Sequence, residues 1–262
     1  MRNYSDPIWT ELPEGIKRAE LYPYNAPNYG FLLNKGTIEP IPENLNLSKK
    51  IPILAIGSNR APSQLLRKFG TKEIVAVTPA IVRNCDVIYA SIISYYGAIP
   101  ATLWPKQGSE IKLSIIWLNN AQLKIMHDTE AVGKAYDFVE FEDGLIDRSS
   151  LFNLGSKVYG YVSRSGALNF GFNQSKIRAL SAIKAKKRFL KSANQDKAIK
   201  LVSKIICGRN KANDIYLFRK KIVSDKIYRI EIINRLKNIG IAPKNTPWIV
   251  LNDIELNSLD FY

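Results

Sequence analysis

The 262-residue chain carries 38 Lys and Arg against 23 Asp and Glu, a net charge of +15, and 46% of its residues are hydrophobic. That length and apolar content allow one large domain, or one domain with sizeable additions. The apolar runs are far shorter than the ~20 residues of a bilayer span. The opening MRNYSDPIWTELPEG lacks the apolar stretch of a secretory signal. Two cysteines, Cys85 and Cys207, with one histidine, His127, give neither a disulfide framework nor metal-ligand spacing. A reduced, cytoplasmic protein without a metal is expected.

Residues 1–50 are rich in Pro, Asn and Tyr (YPYNAPNYG, PIPENLNL) and read as an irregular arm with one short strand. The pattern tightens at Ile51–Ile56, a buried strand. It ends in Gly57-Ser58-Asn59, and a short helix over Pro62–Phe69 follows, with Pro62 in its first turn and Gly70 at its stop. A glycine at a strand end permits close backbone approach. Helix-start N–H groups favour an anion or a developing oxyanion. The same tripeptide also reads simply as a turn whose Ser58 or Asn59 caps the helix.

Asp86–Tyr96 (DVIYASIISYY) is β-branched and aromatic and predicts a strand. Ile111–Leu118 predicts another, entered through a turn at Pro105 and Gly108. Asn120 caps the next segment, NAQLKIMHDTEAVG, whose spacing is helical up to Gly133. Leu123, Met126, His127 and Glu130 share one face of that helix. Two of these positions are apolar, so this is the inward face, and Glu130 places a carboxylate where the pattern asks for a hydrophobic residue. Burial and the negative end of the helix dipole both work against its charge, the condition for a general base working near neutrality. The alternative is a glutamate at the rim with its carboxylate in water. Tyr136–Phe141 and Lys157–Ser163 predict further strands. The varied links between strands argue for a compact α+β or barrel-like sheet rather than a doubly wound one.

Beyond Asn173 the texture changes to helical patterns, IRALSAIKAKKRFLKSA, DKAIKLVSKIICG and IYRIEIINRLKNIG. Between Ser175 and Lys237 there are 19 Lys and Arg against four acids, which accounts for the whole net charge. The expected organisation is an arm at 1–50, a core domain at 51–165 and a basic helical extension at 166–262.

Three features fall in a telling order: the Gly57-Ser58-Asn59 turn, the Ala101-Thr102-Leu103 segment running on to Pro105 and Gly108, and a helix with Glu130 before the strand opened by Tyr136. This order resembles the gamma-glutamylcyclotransferase family, over about residues 51–142. The resemblance implies a small mixed β-barrel flanked by helices, with no cofactor and no metal. It implies Glu130 as general base and proton shuttle. Ile56, Gly57, Ser58, Asn59, Ala101, Thr102 and Tyr136 would form the substrate site, the Gly57–Asn59 loop holding a small-molecule γ-glutamyl compound by its backbone. The reaction would close the γ-glutamyl group to 5-oxoproline and release an amine. Three positions depart from the family pattern: Ile56 for tyrosine, His127 for aspartate before the glutamate, and Ala131 for the glycine after it. His127 reads either as a partner of the base or as a packed side chain.

A second class of function stays open, a non-catalytic module on the same fold whose basic helices dock a nucleic acid or a protein partner. Aromatics are sparse in that segment and no DNA-binding signature occurs. Its lysines read first as solvated faces covering a core.

Overall fold

The computed structural model describes residues 2–147, 157–171, 176–208 and 214–251. The arm is more ordered than its composition suggests. It carries a helix, α1 (Gly15–Glu20), and a hairpin of β1 (Phe31–Asn34) and β2 (Thr37–Glu39). The hairpin turns at Lys35 and Gly36, with φ of 50° and 81°. β1 then lies antiparallel along the first residues of β4 (Val75–Tyr89).

The core follows the sequence pattern closely at its start. β3 (Ile51–Ala55) is buried throughout, and α2 (Pro62–Phe69) starts at its proline and stops at Gly70. β4 and β5 (Ala101–Leu118) form a long antiparallel ribbon. Two expectations are corrected here. The strand ends at Tyr89 rather than Tyr96. Pro105 and Gly108 lie inside an 18-residue strand rather than forming a turn before one. The ribbon absorbs them through a register shift between Arg83 and Cys85, where Asn84 takes φ 55° and its Oδ1 accepts from Gly108 N–H at 3.0 Å.

α3 (Asn120–Glu130) is capped one residue earlier than expected. Asn119 Oδ1 accepts from Gln122 N–H at 2.8 Å and Gln122 Oε1 accepts from Asn119 N–H at 3.0 Å, a reciprocal capping box. β6 (Tyr136–Phe141), β7 (Ile146–Asp147) and β8 (Tyr159–Ser163) follow, then β9 (Ala167–Leu168), β10 (Ala179–Leu180), β11 (Ala185–Lys186) and β12 (Ser192–Ala193).

The predicted helix over IRALSAIKAKKRFLKSA is therefore strands and turns. Ile177, Ala179, Leu180, Ile183 and Ala193 are buried, several of them against the flank of the ribbon, while Phe189 is exposed. β10 pairs with β4, β11 pairs with β5, and Arg188 is tied to the buried Asp86 carboxylate by bonds of 2.7 and 2.9 Å. Ladder partners and a buried ion pair outweigh local helix propensity.

α4 (Gln195–Cys207), α5 (Ile215–Ser224) and α6 (Lys226–Asn238) complete the helices, and β13 (Gly240–Ile241) and β14 (Trp248–Val250) the strands. The part of the expected extension beyond 251 lies outside the described residues. On α4, Ala198, Ile199, Val202 and Ile206 are buried while Lys197, Lys200 and Lys204 are exposed. The lysines thus form a solvated face over a core.

The fold is α+β, with a 12-stranded sheet in the order β12-β10-β4-β5-β3-β8-β6-β14. It is mixed, with parallel pairs at β3–β8 and β10–β12. The expected barrel is corrected to an open sheet, since no pairing joins β14 to β12 among the described residues. The length of β4 and β5 explains this: shorter strands are laid along them, where a ring would need equal neighbours. Tyr22 of the arm, Tyr89 and Trp117 of the ribbon, Ile199 and Leu236 of the helices, and Trp248 share one hydrophobic cluster. Among the described residues no helix is long and apolar enough to cross a membrane.

Candidate functional site

The end of β3, the start of α2, the end of α3 and the arm enclose a cavity of 480 Å³, lined by Ile56, Gly57, Ser58, Asn59, Ala101, Glu130 and Tyr136 among others. That volume suits a small molecule. Seven of the eight predicted site residues therefore meet in one place. Thr102 is the exception. Its Oγ1 accepts from Ser163 N–H at 2.9 Å, so it braces β8 and faces away from the cavity.

Glu130 lies at the end of α3 with its side chain 15% exposed. Its Oε1 accepts from Asn59 Nδ2 at 2.9 Å and from Lys68 Nζ, whose side chain is 5% exposed. One carboxylate oxygen is thus met by two donors. Among the described residues no donor reaches the second oxygen, Oε2. Asn59 Oδ1 and Gln64 Oε1 are buried without a hydrogen-bond partner, closed off from the cavity space although both residues line it. Donation from Asn59 Nδ2 to Glu130 fixes which way that amide points. Glu130 Oε2 is therefore the acceptor that the cavity lining leaves to a ligand, and a carboxylate oxygen suits one that brings N–H groups.

Gly57 owes its identity to close approach. A Cβ there would run into Tyr22 Oη and stand 3.2 Å from Ala101 Cβ. Tyr22 Oη accepts from Ala101 N–H at 2.8 Å, and Tyr136 donates to Ala101 carbonyl oxygen at 3.2 Å. Burial pushes the Tyr22, Tyr136 and Tyr161 phenols above their ordinary pKa, which keeps them neutral. At Ile56, where the family pattern has a phenol, the cavity wall is aliphatic, and the arm brings the Tyr22 phenol to the neighbouring glycine.

The other two departures also have physical readings. Ala131 takes the left-handed conformation at the end of α3, with φ 49° and ψ 56°. Glycine adopts this conformation freely, and an alanine there costs about 1 kcal/mol. His127 is a packed side chain outside the cavity lining. It meets Phe138 edge-on at 4.7 Å, and its Nδ1 lies 3.0 Å from Tyr161 Oη.

Burial lowers the His127 pKa below 6.5, with Asp128 opposing. Between that lowered value and 6.5 the unfolded chain binds more protons than the folded one. Stability is therefore expected to be complete above about pH 6.5 and to fall as pH drops through the window below it. Urea midpoints measured from about pH 7.5 down to about pH 5 should fall less steeply for His127→Gln than for the natural protein.

Four contributors escaped the sequence reading: Arg18, Tyr22, Lys68 and Tyr96. Lys68 had a signal, since it follows Gln64 by four residues on α2 and shares its face. Arg18 and Tyr22 had none, because contacts across so much sequence leave no local pattern. Among the described residues no group of three His, Cys, Asp or Glu side chains is placed to hold a metal.

No family model matches the chain, and no curated protein matches it in sequence. Among solved structures, an uncharacterised human protein is 15% identical, over 79% of this chain and 96% of its own, with a TM-score of 0.37. An Arabidopsis thaliana protein is 14% identical, over 47% of this chain and 74% of its own, with a TM-score of 0.34. A gamma-glutamyl cyclotransferase is 13% identical, over 80% of this chain and 99% of its own, with a TM-score of 0.36. At these values each is a distant likeness, without bearing on activity.

Proposed function

We propose that the protein cyclises a γ-glutamyl group to 5-oxoproline and releases an amine, with Glu130 as the base. The observation that carries this reading is the state of the Glu130 carboxylate: one oxygen is pinned by Lys68 and Asn59, and among the described residues no donor reaches the other, on a residue lining the cavity. Such an oxygen suits an ammonium group. The order of the Gly-Ser-Asn turn, the Ala101 segment and the helix-borne glutamate, resembling the gamma-glutamylcyclotransferase family, supports the same reading.

In this mechanism the substrate's α-ammonium binds at Glu130 Oε2. Oε2 takes one proton, and the freed amine attacks the substrate's own γ-carbonyl carbon. As the tetrahedral intermediate collapses, Glu130 returns that proton to the leaving nitrogen as its bond to carbon breaks. It then takes the second proton from the ring nitrogen and passes it to the released amine, which leaves as an ammonium. No water is consumed. Both reacting groups belong to one molecule, so the protein's task is mainly to hold it folded for attack. Glu130 fixes one end, and the wall of Gly57, Ala101 and Tyr136 bounds the reacting carbonyl.

The test is release of 5-oxoproline from a panel of γ-glutamyl amides, amino acids and peptides by the purified protein. Turnover of at least one compound is expected. No release from any of them overturns the reaction and leaves the non-catalytic module as the reading of the chain.

A further inference from the structure

The cavity is not neutral. Three cationic side chains, Arg18, Arg67 and Lys68, line it against one acid, Glu130. Lys68 is paired with Glu130, and Arg67 Nη2 donates to Pro13 carbonyl oxygen at 2.7 Å. Arg18, from α1 of the arm, pairs with no carboxylate among the described residues, and its Nε is buried without a partner. Its guanidinium is nevertheless held firmly. It lies over the ring of Tyr96 at 4.1 Å and that of Tyr95 at 5.1 Å, and Nη1 donates to Tyr95 Oη at 2.6 Å. Two aromatic rings orient the planar fork and leave donors unused, which is the arrangement that receives a carboxylate.

Charge decides what the ligand must carry. A γ-glutamyl end brings one ammonium and one carboxylate, so it leaves the surplus positive charge of the cavity unanswered. A neutral or cationic leaving half would leave the Arg18 guanidinium in a partly dry site without a counter-ion, at a cost in binding. We propose that Arg18 is a specificity-determining residue: it binds an anionic group, a carboxylate in the simplest case, on the half of the ligand that is released. This inference rests on the γ-glutamyl reading, and it makes the arm, which has no part in the motif resemblance, one wall of the specificity site.

Two probes that differ by a single carboxylate, γ-glutamyl-glycine and γ-glutamyl-methylamide, test it, with both binding by calorimetry and 5-oxoproline release measured. The natural protein is expected to prefer γ-glutamyl-glycine by about tenfold to a hundredfold in affinity, the range of one charge-assisted contact. Arg18→Gln should shrink that preference by weakening γ-glutamyl-glycine more than the methylamide, and Arg18→Lys should keep part of it. Equal treatment of the two probes by the natural protein overturns the proposal without any variant being needed. Equal weakening of both by Arg18→Gln also overturns it, since Arg18 would then read the γ-glutamyl end. Cyclisation without preference sinks this inference alone. Preference without cyclisation sinks the reaction and keeps the anion contact. Binding of neither probe sinks both.

Discussion

Glu130→Gln is expected to slow 5-oxoproline release by at least about a hundredfold, the lower bound of what a positioned general base supplies. The substitution preserves shape. The amide oxygen of glutamine can accept from Lys68 Nζ and Asn59 Nδ2 as Oε1 does now. What it removes is the second oxygen as a proton acceptor, and in its place it presents an NH₂ donor to the ligand's ammonium. The loss should therefore fall on the catalytic rate as well as on binding. A thermal unfolding transition at the assay temperature or above would show that the variant is folded. Retention of most of the natural rate would mean that the base is another group.

Lys68→Met is expected to cost about 3 kcal/mol of stability or more, because it strands a buried carboxylate. The Lys68 and Glu130 side chains are only 5% and 15% exposed, so water cannot replace the lost partner fully. Asn59 remains as a single neutral donor, which is the weaker of the two. Methionine is unbranched and one atom shorter than lysine, so it can fill the slot without approaching Met126 Sδ as Nζ does at 3.1 Å in donating to it. Bulk is thus not the cause, and the pair can be isolated by a double-variant cycle. Lys68→Met combined with Glu130→Gln should be more stable than the sum of the single losses predicts, by at least about 1 kcal/mol. Additive losses would show that the two side chains do not act as a pair. Urea unfolding of the four proteins gives the comparison.

The parts of this molecule that were legible in the sequence are those governed by local rules. α2 and β6 fall on the expected residues, and β3 ends one residue short, because a helix-starting proline, a stopping glycine and a strand pattern act within a few residues. Glu130 was found because a carboxylate broke the apolar face shared by Leu123 and Met126. The failures come from long range. The segment from Ile177 to Ala193 has helical spacing, yet the flank of the β4–β5 ribbon offered it ladder partners and Asp86 captured Arg188. Pro105 and Gly108 look like a turn until the compensating bulge at Asn84 is seen across the ribbon.

The site shows the same division. Gly57, Ser58, Asn59, Ala101, Glu130 and Tyr136 carry the motif resemblance and meet at the cavity. Thr102 belongs to the same motif but alternates to the opposite face of its strand, so adjacency in sequence became opposition in space. Lys68 changes the chemistry most. It gives the carboxylate that breaks the apolar face an ion-pair partner on one oxygen and leaves the other without a donor among the described residues. Arg18 and Tyr22 come from an arm that composition described only as irregular.

The most direct test of the account is the product balance from γ-glutamyl-glycine incubated with the purified protein, followed by amino-acid and 5-oxoproline analysis of the same samples. Intramolecular attack predicts 5-oxoproline and glycine in equal amounts with no free glutamate, and loss of both products in Glu130→Gln. Free glutamate appearing with glycine would show that water is the nucleophile, and would contradict the assignment of Glu130 as the base for a ring-closing amine.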